Sequence, residues 1–419
     1  MHQPLPKPAP FRVPPLIKRN TALIALSQSF AGAGMPLAYG IGPLMVIALT
    51  GSASLAGLSV GVFGLSRFVV SYPVGKITDT YGRKPGIFLG LVLALLGAVL
   101  VGQSMGLRSF TVLVVGMLIF GMGMAAAYQM RVAVTDMFPP QLRAQALGYV
   151  SLGSLGGLVM GPLLVSLAET VAPGLGREPL ALPWLLLPVL IVLGMLIVSF
   201  VRPDPKQIGS ELDRHYPGFA LPSRPDAVAG SDFSARELIG RRATRLAIVS
   251  NCAAQANMSI VMVLTSLVLA HHGHSLSAIA FSHMFHTAGM FAFTIPLGRL
   301  ADRLGREPVM YPGVAIALVG AGLVTFTGAF WSVTLGTFLV GLGWAAANVA
   351  ATALIADQTT TAERGRAIGV NDSFAGGVTV ITALVTGPLA EWAGLPAAGA
   401  AAVLFALVPL VMRAVDNGQ

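Results

Sequence analysis

Apolar runs of about 20 residues recur along the whole of this 419-residue chain, and each is long enough to cross a bilayer as a helix. No other feature constrains the fold as strongly. The chain is 55% hydrophobic and only 10% charged, with a mean hydropathy of +0.77, whereas a soluble domain carries about 25% charged residues. The net charge of +9 does not point to nucleic acid, because the basic residues sit in loops between spans, where they act as topology signals. A single cysteine, Cys252, excludes a disulfide framework within the chain. Met1 to Asn20 is Pro-rich and basic, has no apolar run or cleavage site, and reads as a cytoplasmic tail.

The expected fold is an all-α integral membrane protein of twelve helices, at about 21–49, 54–77, 86–105, 109–135, 145–168, 182–201, 244–270, 279–298, 309–328, 331–356, 366–390 and 396–413. The first six form one bundle with the tail (1–201) and the last six form a second (244–419). The connector between them (202–243) is Pro-rich, carries seven basic and six acidic residues from Arg202 to Arg242, and reads as solvated. With the N-terminus inside, the outer loops hold only Arg108 and Arg177. The inner loops and tails hold Lys18, Arg19, Lys76, Arg83, Lys84, Arg143, the connector's seven, Arg299, Arg303, Arg306, Arg364, Arg366 and Arg413. That asymmetry places both termini in the cytoplasm.

The two halves repeat. Gly75, Asp79, Gly82 and Arg83 return 223 residues later as Gly298, Asp302, Gly305 and Arg306. Gly121-x-Gly123-x-Ala-Ala-Ala127 returns as Gly341-x-Gly343-x-Ala-Ala-Ala347, and Asp136, Arg143 and Gly148 return 221 residues later as Asp357, Arg364 and Gly369. Duplication of this kind marks a transporter with its site between the halves. At Gly75 to Lys84 the chain resembles the major facilitator superfamily, whose signature loop is Gly-x-x-x-Asp-x-x-Gly-Arg-[Lys/Arg]; the second copy departs from it at Glu307. The resemblance implies that Gly75, Asp79, Gly82, Arg83, Gly298, Asp302, Gly305 and Arg306 latch the cytoplasmic side during cycling. Arg131, near the inner end of the fourth helix, either pairs with Asp79 or snorkels to the surface.

Ionisable groups within the spans are few. Asp372 is the one carboxylate clearly inside a span; Glu169 and Glu391 lie at outer helix ends. Arg67, near the middle of the second helix, either binds an anion or is paired structurally. Soft ligands stand out instead. Met258-x-x-x-Met262 and His286-x-x-x-Met290 each put two side chains on one helix face. If the seventh and eighth helices form an antiparallel hairpin, Met262 is level with His286 and Met258 with Met290. Thioethers and an imidazole suit Cu(I) and bind hard divalent ions poorly. His283 lies in the same span, where an unpaired imidazole is costly. His271, His272 and His274, in the loop before it, either capture metal or are simply solvated, and Cys252 either assists release or is an inert core thiol. Packing is the ordinary role of a membrane methionine.

The Met-x-x-x-Met and His-x-x-x-Met pair resembles the hallmark of the CcoA-type copper importers, a branch of the same superfamily. That resemblance implies import of copper, as substrate rather than cofactor, across the bacterial inner membrane to supply cbb3-type cytochrome c oxidase. The chain is expected to be a monomeric carrier, not an enzyme, with copper, membrane lipid and a periplasmic or cytoplasmic copper chaperone as its partners. The competing reading is a carrier of an organic solute such as riboflavin or a drug. Gly148, Gly157, Gly161 and Pro162 match part of an antiporter motif, but Val165 and Ser166 replace its terminal glycine pair. Met117 and Thr337 stand where drug–proton carriers keep a basic residue on the fourth helix and its repeat.

The topology has a direct test. Single cysteines at positions 108 and 177 should react with an impermeant maleimide in intact cells; external labelling of the connector would refute the arrangement.

Overall fold

A bilayer leaves the backbone no partner but itself, so helices are the economical way across. The computed structural model describes residues 12–127, 129–139, 142–217, 234–358 and 364–417, and no strand occurs among them. Each expected span coincides with a helical segment: α1 (Pro15–Gly40 continuing as Gly42–Thr50), α2 (Leu58–Tyr81), α3 (Arg83–Gly106), α4 (Phe110–Asp136), α5 (Arg143–Val171), α6 (Leu182–Ser199), α7 (Arg242–His271), α8 (Leu276–Ala301), α9 (Glu307–Phe326), α10 (Phe330–Asp357), α11 (Arg364–Ala393) and α12 (Leu395–Asn417). Among the described residues, ten helices are long and apolar enough to cross a membrane, and eleven if bent α1 is one span. The remaining segment is α2, helical from Leu58 to Tyr81, in which several side chains lie outside the described residues.

The bend in α1 is 46°. Pro43 has no N–H for the carbonyl four residues before it. That carbonyl, of Tyr39, instead accepts from the Ser266 hydroxyl on α7 at 3.2 Å, and the Gly40 carbonyl accepts from the same hydroxyl at 2.8 Å. A broken helix is thus tolerated because a side chain from the other half repairs it.

The repeated Gly-x-Gly pairs are points of close helix approach. A Cβ on Gly121 would overlap Ser66 of α2, and one on Gly123 would overlap Ala94 of α3. In the second half, a Cβ on Gly341 would overlap the His286 carbonyl of α8, and one on Gly343 the Gly313 carbonyl of α9. Dispersion, which falls off steeply with separation, holds membrane helices together where such residues let backbones meet.

The signature loops show why their glycines are needed. Gly82 has φ 105° and Gly305 has φ 98°, a region a β-carbon disfavours. The following arginines each reach the end of a neighbouring helix: Arg83 Nε donates to Asp136 at 2.6 Å, and Arg306 Nε donates to Asp357 at 2.9 Å. Both pairs join residues of the duplicated set. The side chains of Gly75, Asp79, Asp302 and Arg67 lie outside the described residues.

The connector is less solvated than its composition implies. Asp204 caps a short helix, Pro205–Ser210, and also accepts from the N–H groups of Arg83 and Lys84 at 3.1 and 2.9 Å. Ile208, Leu212 and Tyr216 are buried in the core of the first half, where the Tyr216 hydroxyl donates to the Met137 carbonyl at 3.2 Å. Burial pushes the Tyr216 phenol above its ordinary pKa. The four-residue spacing of these three apolar residues is the signal that composition masked.

Residues of the two halves meet at the end remote from the connector. There Gly57 of α2 lies against the Ala383 carbonyl of α11, and Gly387 of α11 against Ser54. Toward the connector, α11 stands open: Gly376 and Gly377 have nothing within 4 Å of a built Cβ, and Asp372 and Ser373 are exposed. Among the described residues, the cleft between the halves is thus accessible along α11 on the connector side.

A larger residue at Gly341 should separate α10 from α8. Gly341→Val is expected to lower the melting temperature in detergent by several degrees, the scale of overpacking by about 1–3 kcal/mol. Gly322→Ala, with nothing within 4 Å, should leave it unchanged or raised.

Candidate functional site

The soft-ligand residues all lie on α7 and α8, yet those two helices are not a packed hairpin. Helix α8 packs chiefly on α10 and α5, and α7 on α10, α11 and α12. The two approach where His283 Nε2 comes within 3.4 Å of the Met262 carbonyl. Met262 is thus opposite His283, three residues from the expected level partner. Met258 and Met262 are buried, and both belong to one apolar cluster on which half-buried Met290 also packs. Nearly all of α7 is buried, so burial alone does not single out its methionines.

His286 is held by α10. Its Nδ1 is 2.9 Å from the Thr337 carbonyl; a carbonyl only accepts, which assigns the proton to Nδ1. Gly341 makes this possible by letting the α10 backbone lie against the α8 backbone at His286. The other ring nitrogen, Nε2, is buried with no hydrogen-bond partner. An imidazole fixed through one nitrogen with the other lone pair free is the arrangement of a metal-ligating histidine. It is equally an acceptor for a substrate N–H or O–H. His283 differs: its Nδ1 is 2.9 Å from the Ile279 carbonyl of its own helix.

The remaining predicted ligands are apart from these. His272 Nδ1 is 2.8 Å from the Val268 carbonyl, His274 Nε2 is 3.3 Å from the Gly328 carbonyl, and His271 stacks edge-on against His272. They close the far end of α7. Cys252 lines an apolar groove of about 320 Å³ between α7, α11 and α12, with Ile248, Phe374 and Phe405. Among the described residues, no group of three or more His, Cys, Asp or Glu is placed to hold a metal ion. Copper coordination here would rest on the thioethers and His286.

Sequence reading passed over a second set of polar groups. On α7, Asn251 donates to Asn371 of α11 at 3.2 Å and accepts from Asn348 of α10 at 2.9 Å. Asn371 in turn donates to Asp372 at 3.1 Å. One turn along α7, Gln255 accepts from the Trp344 indole at 2.7 Å. The available signal was the four-residue spacing of Asn251 and Gln255 in an apolar helix. On the facing half, Tyr39 and Phe63 meet edge to face with centroids 5.4 Å apart. Arg131 of α4 lies over the Phe291 ring of α8, 5.3 Å from its centroid, a cation–π contact between the halves.

Asn251 ties three helices together. Asn251→Leu strands an amide group on buried Asn371 and one on half-buried Asn348, which costs about 1–3 kcal/mol; a lower melting temperature with unchanged membrane insertion is the expected result.

The comparisons agree with this geometry. The model of the Major Facilitator Superfamily matches residues 22–243 and 246–416. A riboflavin transporter, RfnT, of Brucella anthropi is 26% identical over 413 residues, covering 96% of this chain and 97% of that protein. An uncharacterized MFS-type transporter, YdeG, of Bacillus subtilis is 29% identical over 85% of this chain and 82% of its own length. Among solved structures, a D-xylose–proton symporter has a TM-score of 0.69 at 14% identity, covering 94% of this chain and 97% of that one. An inward-facing bacterial homologue of the human lysosomal transporter Spinster has a TM-score of 0.66 at 16% identity, covering 94% of each chain. With its duplicated signature loops, its paired glycine contacts and this end-to-end match, the chain belongs to the Major Facilitator Superfamily.

Proposed function

We propose that this protein carries a small, neutral organic solute across the bacterial inner membrane by alternating access, with both termini in the cytoplasm and riboflavin as the first substrate to test. The observation that carries this reading is the polar set in the second half: linked amides on α7, α10 and α11 and an indole bonded to Gln255. Neutral donors and acceptors beside aromatic rings recognise a heteroaromatic, hydroxylated solute without the desolvation cost of a charge. The end-to-end likeness to a riboflavin transporter supports it.

A second reading, copper import by a CcoA-type carrier that supplies cbb3-type oxidase, is favoured by one specific observation, the free buried Nε2 of His286. In that reading Met258, Met262, Met290 and His286 hold Cu(I) as substrate, with His283 beside them. Neutral soft ligands hold such an ion with moderate affinity and so release it.

One experiment separates the two. Uptake of labelled riboflavin and cellular copper content are measured for the wild type, Gln255→Leu, Trp344→Leu, Met262→Leu and His286→Leu. The organic-solute reading expects riboflavin uptake to fall by about tenfold or more in the Gln255 and Trp344 variants, the scale of one lost buried hydrogen bond, and to survive Met262→Leu, which nearly conserves volume. Copper accumulation that is lost in the Met262 and His286 variants, with no riboflavin uptake by the wild type, would replace it with the copper reading.

A further inference from the structure

Two glutamates at the far end of the molecule hold the halves together in a reciprocal way. Glu169 ends α5 in the first half. Its carboxylate accepts from the N–H groups of Leu276 and Ser277, the first residues of α8 in the second half, at 2.7 and 3.1 Å. Glu391 ends α11 in the second half. Its carboxylate accepts from the Ser54 N–H at 2.9 Å and the Ser52 hydroxyl at 3.3 Å, at the entry to α2 in the first half. The two contacts are copies: Glu169 and Glu391 are 222 residues apart, and so are Ser54 and Leu276.

Glu169 puts a negative charge on N–H groups that begin α8 and lack an intrahelical acceptor, and Glu391 puts one on the Ser54 N–H in the 3₁₀ turn Ala53–Leu55 that leads into α2. Such donors attract anions, and the aligned peptide dipoles add to the attraction. Each also spans a seam that must open if the cleft is to face the other way. On the connector side, by contrast, the duplicated ion pairs Arg83–Asp136 and Arg306–Asp357 stay within one half each.

We infer that Glu169 and Glu391 are a pair of gate clamps that hold the side remote from the connector closed and set the balance between the two open states of the carrier. They are positioning residues, which touch helix ends rather than solute. Glu169 is half-buried and Glu391 exposed, so water and salt weaken the second clamp more. The first clamp therefore dominates. This inference rests on the fold and not on which solute is carried.

The test reads accessibility and needs no substrate. In a Cys252→Ala background, Ala56→Cys places a thiol in the seam: Ala56 is fully buried and sits in the apolar cluster built mainly by the second half. An impermeant maleimide added from outside labels it only when that seam opens. Glu169→Gln removes the charge and keeps the shape. It should speed labelling by about tenfold, the scale of a hydrogen bond to a charged group. Glu391→Gln should have a smaller effect and the double variant the largest. Gly376→Cys, on the open connector side, should become protected in step. Glu169→Asp, which keeps the charge, should restore most of the wild-type rate. Glu178→Gln, in the exposed loop after α5, sets the baseline. Labelling of the double variant at the Glu178→Gln rate, with Gly376→Cys still reactive, would overturn the clamp. So would equal acceleration by Glu169→Asp and Glu169→Gln, because charge would then be irrelevant.

Discussion

Close backbone approach at the repeated Gly-x-Gly pairs is the constraint on which the rest depends. Lipid tails are as apolar as leucine, so burial alone does not drive these helices together. Contact at Gly121 and Gly123, and again at Gly341 and Gly343, brings α4 and α10 against two neighbours each. Helix α10 places three of the polar groups inside the second half. It supplies the carbonyl that orients His286, the indole that meets Gln255 and the amide that meets Asn251.

Several freed backbone groups and amides are satisfied across a helix boundary. Ser266 repairs the broken α1, Asp204 caps α3, and the Asn348–Asn251–Asn371 chain links three helices. Buried polar groups in a low-dielectric interior are costly when unpaired. This makes His286 Nε2, which is buried and unpartnered, informative under either functional reading. Both readings use it, one as a metal ligand and one as a hydrogen-bond acceptor. They differ in the partners they need, the thioethers of Met258, Met262 and Met290 or the amides on α7, α10 and α11.

The asymmetry between the two ends gives the fold its direction. Among the described residues, the carboxylate contacts at the end remote from the connector run between halves, while the Arg83–Asp136 and Arg306–Asp357 pairs at the connector end run within them. Alternating access in a carrier of this family requires the contacts at the remote end to part.

Much of this was legible in the residues. Span length, the duplicated signature loop and the Arg and Lys asymmetry are local properties of the chain, and local properties dictate helices and the family. The roles of Gly82 and Gly305 were also local, since a positive φ is set by neighbouring peptides. Side-chain partnership was not. Spacing put Met258 with Met262 and His286 with Met290, because each pair lies on one helix. It did not reveal that α10 stands beside both helices, that His286 bonds to Thr337, or that His283 faces Met262. Those facts depend on how helices cross, which short-range periodicity does not encode. Glu169 and Glu391 make the same point: the sequence by itself set them at helix ends, and only the tertiary structure decided that each meets the start of a helix in the opposite half, because that meeting needs the two bundles to be packed face to face.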